Sequence, residues 1–183
     1  TMWATCNVGG TNFEDLGNDY AWGETTTKDE YTQNNYTYSD NPATLPADAD
    51  AAAVNWGEDW IMPTQEDIQE LIDYCNTTWI TINGIRGMQA TSSNGNSIFI
   101  PTNIYEGYST SGNYWSSSLY TDNPTSAMYM SLYSGDSESD SDVSIWDFER
   151  SNPARVRPVY KVAPTAFELG DEPYNCDFEN ADE

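Results

Sequence analysis

The run Asp136-Ser137-Glu138-Ser139-Asp140-Ser141-Asp142 places carboxylates at alternate positions. Like charges this close repel unless water or a cation neutralises them. Calcium takes about six to eight oxygens from such side chains and from carbonyls. The glycine and the closing glutamate of an EF-hand loop are missing. The run therefore reads either as a solvated acidic loop or as a weak Ca2+ site held by Asp136, Glu138, Asp140 and Asp142, and Ca2+ is the one cofactor the sequence suggests.

Other chemistries fall away by residue type. Histidine is absent, which removes the commonest general base and zinc ligand and excludes Ser-His-Asp and Cys-His catalysis. Cys6, Cys75 and Cys176 lie far apart with no metal or redox spacing. They read as buried thiols, or as one Cys6–Cys75 disulfide with Cys176 left over. With 30 acids, carboxylate pairs must occur somewhere, but a glycosidase needs two facing each other across a cleft, which spacing alone does not show. The expectation is a protein that is not an enzyme.

Charge narrows the partners. Thirty acids against 6 bases give a net charge of −24. No basic stripe exists to neutralise phosphates, so nucleic acid is excluded as a partner, and an anionic membrane surface repels such a chain. No apolar run approaches the roughly 20 residues of a membrane helix, so direct membrane insertion is not expected.

Two further groups invite a functional reading. Residues 105–146 are rich in Tyr, Ser, Asn and Asp, a composition suited to recognition because rigid aromatics add contact area and small polar residues add hydrogen bonds. Tyr120, Tyr129, Tyr133 and Trp146 are the expected exposed ligand-binding members; the competing reading makes them buried framework. Arg155 and Arg157 belong to a segment, 150–157, that holds half the chain's bases. Arg157 is expected to form a structural ion pair with Glu70, and the alternative is a contact to an anion or carboxylate sugar.

The elements that must position these residues are partly readable. Met2 to Val8 alternates large and small and reads as a first strand. Residues 11–50 read as a long ordered loop, since their aromatics need burial and Asn41-Pro42 and Leu45-Pro46 break helices. Asp50 caps a short helix ending at Gly57. Thr64 caps a second, with Ile68, Leu71, Ile72 and Cys75 on one apolar face and an end near Asn76. Then the period switches to two. Trp79–Ile82 and Ile85–Thr91 flank Asn83-Gly84, a strong hairpin signal, and Ser97–Ile100 completes a three-stranded meander. Residues 102–113 read as a loop, and 114–118, 127–133, 143–148 and 154–160 as strands, with Met128, Met130 and Leu132 facing the core. Residues 161–183 form an acidic tail outside the domain of residues 1–160. The abrupt start at Thr1-Met2-Trp3 reads as a trimmed or mature form.

Several landmarks stand in a familiar order. They include Trp3-Ala4-Thr5-Cys6-Asn7-Val8-Gly9, Tyr20-Ala21-Trp22-Gly23-Glu24, Asn55-Trp56-Gly57, Trp60-Ile61-Met62-Pro63-Thr64, Asn94-Gly95-Asn96-Ser97-Ile98-Phe99-Ile100-Pro101, Tyr114-Trp115-Ser116-Ser117-Ser118 and Val156-Arg157-Pro158-Val159. Together, over about residues 2–160, they resemble the Fibrobacter succinogenes major paralogous domain, common in gut Bacteroidetes proteins. The resemblance implies an α+β, C-type-lectin-like fold, with two helices flanking small twisted antiparallel sheets. It implies a secreted or surface-anchored protein, often with neighbouring domains, and brings no catalytic residues. The similar fold of sulfatase-modifying enzymes uses paired cysteines late in the domain, which this sequence lacks. The expected function is an extracellular, non-enzymatic adhesion module for a glycan or cell-surface protein. The alternatives are a structural or pilus-associated spacer and a retroelement-diversified binding protein with variable late loops.

Overall fold

The computed structural model describes residues 1–106, 109–135 and 140–161, with side chains described except those of Tyr105 and Glu106. In chain order the elements are β1 (Met2–Trp3), β2 (Asp19–Tyr20), α1 (Ala51–Trp56), β3 (Trp60–Ile61), α2 (Gln65–Tyr74), β4 (Asn76–Ile82), β5 (Ile85–Thr91), β6 (Ser97–Pro101), β7 (Asn103–Glu106), β8 (Ser109–Leu119), β9 (Ser126–Ser134), β10 (Ser141–Glu149), β11 (Ala154–Arg155) and β12 (Val159–Tyr160). Short 3-10 turns at Gln33–Asn35 and Ala47–Ala49 interrupt the long early loop. The class is α+β, dominated by sheet.

Three sheets share the work among the described residues. The largest runs β10-β9-β8-β11-β2, with β7 also pairing β8; β4-β5-β6 form a meander; β1-β12-β3 form a small third sheet. The hairpin between β4 and β5 turns on Asn83 and Gly84, both at positive φ (49° and 84°), as a type I′ turn demands.

Both helices start where their caps dictate. The Asp50 carboxylate accepts from the N–H groups of Ala52 (2.8 Å) and Ala53 (3.1 Å), and its other oxygen accepts from Met62 N–H (2.8 Å), tying α1 to the start of α2. Thr64 and Asp67 form a reciprocal capping box at α2. Cys75 turns extended (φ −103°, ψ 145°) and ends α2, one turn position earlier than the periodicity implies, and β4 follows at once.

Two cores result. In the first, Ile68, Leu71 and Cys75 of α2 pack on Met88 and Ile100 of the meander and on Met130 and Leu132 of the large sheet. In the second, Trp22 and Trp115 are both fully buried beside Tyr20, Met62 and Val156. Buried indoles need an acceptor, and each has one: Trp22 Nε1 donates to Ser116 O (2.9 Å) and Trp115 Nε1 to Tyr20 O (2.8 Å). The scarcity of Leu, Ile and Val is thus met by aromatics whose polar ends bond to loop and sheet carbonyls.

Several expectations need correction. The first strand is only Met2–Trp3, because from Ala4 onward the backbone bonds to the segment before β12 instead of a neighbour strand (Ala4 N–H to Pro158 O, Val8 N–H to Val156 O). Residues 102–113 are not a loop but contain β7 and the start of β8. The run 154–160 is split into β11 and β12, which belong to different sheets, as Pro158 lacks the N–H a continuous ladder needs. Met128 is only half-buried, unlike Met130 and Leu132. No Cys6–Cys75 bridge forms: the Cys6 thiol lies against Gly10 O (3.7 Å), while Cys75 is in the first core. The proposed tail, 162–183 with Cys176, lies outside the described residues. No helix of the described residues is long and apolar enough to cross a membrane.

Candidate functional site

The large sheet has one face in the core and one outside. Val143 and Ile145 of β10 and Met130 and Leu132 of β9 turn inward. The alternate residues therefore turn outward. On β9 these are Tyr129, Ser131 and Tyr133, and directly opposite them on β10 stand Trp146, Ser144 and Asp142. On β8, Asn113 and Ser111 face Ser131 and Tyr133. Three of the four expected aromatics are thereby gathered on one surface by strand register alone.

They are not equally available. Trp146 is 60% exposed and Tyr133 39%. Tyr129 is half-buried, contrary to expectation, because its ring packs on Phe148 (centroids 5.1 Å apart) and edge-on against Trp115 (6.3 Å). Tyr120 is also half-buried, and it lies elsewhere, in a cleft with Gln65, Glu66 and Met128. Trp146 is held despite its exposure. Its indole N–H donates to Ser144 Oγ (2.9 Å), whose hydroxyl donates to an Asp142 carboxylate oxygen (2.7 Å). This relay along one face of β10 restrains the ring before any ligand arrives.

The acidic run divides. Asp136 and Glu138 lie outside the described residues. Asp140 and Asp142 are exposed, and Asp142 is engaged by Ser144. Among the described residues no group of three or more potential ligands stands close enough to hold a metal ion.

The arginines correct the expectation most clearly. Arg157 does not pair with Glu70. It is completely buried and donates to Asn7 Oδ1 (2.7 Å), Ala4 O (3.0 Å) and Phe99 O (3.0 Å). Glu70 instead accepts from the Thr1 hydroxyl (2.9 Å), with the chain's first amino group 3.9 Å away. The mispairing has a simple cause: Arg157 leaves β11 toward the loop of Asn7, whereas Glu70 lies near the chain start. Burial lowers the Arg157 pKa to about 10, still well above neutrality, so the guanidinium stays charged.

Sequence reasoning missed Arg150. It closes a cleft of about 430 Å³ lined by Gln33, Tyr36, Tyr38, Asn41 and Glu149. All of its donors are used: Nε to Tyr36 Oη (2.8 Å), Nη1 to Asn41 Oδ1 (2.7 Å) and Pro124 O (2.9 Å), Nη2 to Tyr38 O (2.9 Å) and Asp40 O (3.0 Å). The guanidinium also lies over the rings of Trp22, Tyr36 and Tyr38. The cleft has room, but its cation has nothing left to offer a ligand. The available signal was the crowding of three bases into 150–157 of a chain otherwise almost without them.

Burial raises the Tyr36 phenol to about 12, against the pull of Arg150. Its hydroxyl donates to Trp22 O (2.7 Å). The folded protein therefore holds this proton where the unfolded chain, with a phenol near 10, loses it. The contribution is complete below about pH 10 and disappears as pH rises through 12. Melting temperatures followed across that window should fall, and Tyr36→Phe should remove part of the slope; an unchanged slope would refute the assignment.

Comparison with known proteins gives no match. No family model fits the chain, and no curated protein or solved structure is similar to it at a significant level. The likeness to the Fibrobacter succinogenes major paralogous domain thus rests on sequence motifs alone.

Proposed function

We propose that this is a non-enzymatic extracellular binding module of C-type-lectin-like fold, related to that paralogous domain, which takes a glycan on the outward face of β8, β9 and β10. The observation that carries this is Trp146: a large ring left mostly in water yet restrained through Ser144 and Asp142, beside Tyr133 and a row of small polar side chains. An aromatic ring stacks on the apolar face of a sugar, and flanking Ser, Asn and Asp groups meet its hydroxyls. Holding the ring in advance reduces the ordering cost of binding. The acidic surface suits a soluble domain outside the cell or on its surface, and other domains of a longer surface protein would be its neighbours.

A glycan array probed with the wild-type domain and with Trp146→Ala tests the reading. Trp146→Ala should weaken binding about tenfold or more, a loss above roughly 1 kcal/mol, with melting unchanged. Binding abolished by chelator would restore calcium to the Asp136, Glu138, Asp140 and Asp142 loop. No binding to any glycan would favour a structural spacer, and cleavage of an arrayed glycan would make the protein an enzyme.

A further inference from the structure

Of the three arginines between 150 and 157, two have their donors engaged and one does not. Arg155 is 7% exposed, yet it donates no hydrogen bond to any described residue, and its Nε–H is buried without a partner. Its one polar neighbour is the Asp19 carboxylate, 4.0 Å from Nε and too far for a hydrogen bond. A buried donor left unmatched is costly and calls for an explanation.

The topology builds a basin around it. Along one edge β8 pairs first with β7 (Asn103 opposite Ser111) and then with β11 (Arg155 opposite Tyr114). Where the two partners part, a pocket of about 200 Å³ remains, lined by Asp19, Asn103, Ser111, Gly112, Asn113 and Arg155. The side chains of Asn103, Ser111 and Asn113 also make no hydrogen bond to a described residue. The basin thus presents guanidinium N–H donors, carboxylate acceptors, and amide and hydroxyl groups that are both, all uncommitted.

We infer that this basin binds a single neutral, hydroxyl-rich sugar ring, with Arg155 donating to one hydroxyl and Asp19 accepting from another. The volume is below the roughly 300–1,000 Å³ of drug-sized pockets, which limits the occupant to about one ring. Asp19 already balances Arg155, and a net charge of −24 repels a carboxylate from outside, so a neutral sugar is favoured over a uronate. The inference rests on the glycan-binding reading. Asn113 and Ser111 belong both to the basin and to the aromatic face, and β8 lies two strand spacings, roughly 10 Å, from β10, so one oligosaccharide reaches both.

The test is a titration of the 15N-labelled domain followed at two side-chain signals, Arg155 Nε–H (assigned through its loss in Arg155→Lys) and Trp146 Nε1–H. The probes are methyl glycosides and disaccharides of glucose, galactose, mannose and N-acetylglucosamine, with galacturonate as the acidic comparison. A neutral sugar should shift Arg155 Nε–H saturably, and Asp19→Asn, a change at a largely exposed carboxylate, should weaken that response about tenfold with melting unchanged. An Arg155 signal that no probe moves, or that only galacturonate moves, overturns the inference. A shift at Trp146 without one at Arg155 leaves the aromatic face standing and removes the basin. A shift at Arg155 alone keeps the basin and removes the face.

Discussion

Arg157→Met should lower the unfolding free energy by about 4 kcal/mol and the melting temperature by roughly 10 °C. The estimate comes from what the substitution leaves behind. Asn7 Oδ1, Ala4 O and Phe99 O lose their donor in a site with no exposure. Each buried acceptor left unmatched costs about 1–3 kcal/mol, offset in part because a buried charge with no carboxylate partner is also removed. Some 1 kcal/mol moves the midpoint of a domain this size by about 2–4 °C. These acceptors come from three distant parts of the chain: the loop after β1, β6, and Asn7, which itself donates to Leu16 O (2.9 Å) and Tyr114 Oη (3.2 Å). The loss should therefore be global, with all probes of unfolding shifting together. Arg157→Lys should recover little, since one ammonium cannot reproduce the guanidinium's fan of donors. Glu70→Gln should stay within about 0.5 kcal/mol of wild type. If Glu70→Gln proved the more damaging of the two, the buried network would not be the anchor.

The contrast between Glu70 and Asn7 shows where sequence reading stops. Charge complementarity suggested a carboxylate for Arg157, and the chain offers 30. Yet the partners are two backbone carbonyls and an amide, and backbone carbonyls are the same at every position. Local signals did better. The Thr64 cap, the Ile68 and Leu71 stripe and the Asn83-Gly84 turn were legible because their causes lie within a few residues. Strand alternation correctly placed Tyr129 and Tyr133 on one face and Met130 and Leu132 on the other. It did not show that Phe148 and Trp115 cover Tyr129, because that contact joins three strands. Nor did it reveal the basin at Arg155, which exists only because β7 and β11 share one edge of β8. Periodicity gave the direction of side chains; the identity of neighbours needed the register.

Arg150→Ala should act differently from the Arg157 change, although it removes more contacts. Its bonds run to Tyr36, Tyr38, Asp40 and Asn41 of the long early loop and to Pro124. Three rings also lose a cation, worth about 0.5–2 kcal/mol each depending on solvation. The cleft beside it, however, admits water to the stranded acceptors, so each lost bond costs nearer about 1 kcal/mol than 3. A total near 4 kcal/mol is expected, felt first by the segment it pins. Gly23 marks how closely that segment sits: a Cβ there would lie 2.2 Å from the Tyr38 ring. Hydrogen exchange in Arg150→Ala should speed up at Thr37, whose N–H donates to Glu24 (2.8 Å), while amides in β9 and α2 stay protected. Binding at Trp146 should survive, because the Ser144 and Asp142 relay lies within β10 and does not pass through Arg150. Arg150→Lys should open the loop nearly as far, since the ammonium keeps the charge but not the planar fork. Uniform loss of protection across the sheet would mean instead that the loop and the large sheet unfold as one cooperative unit.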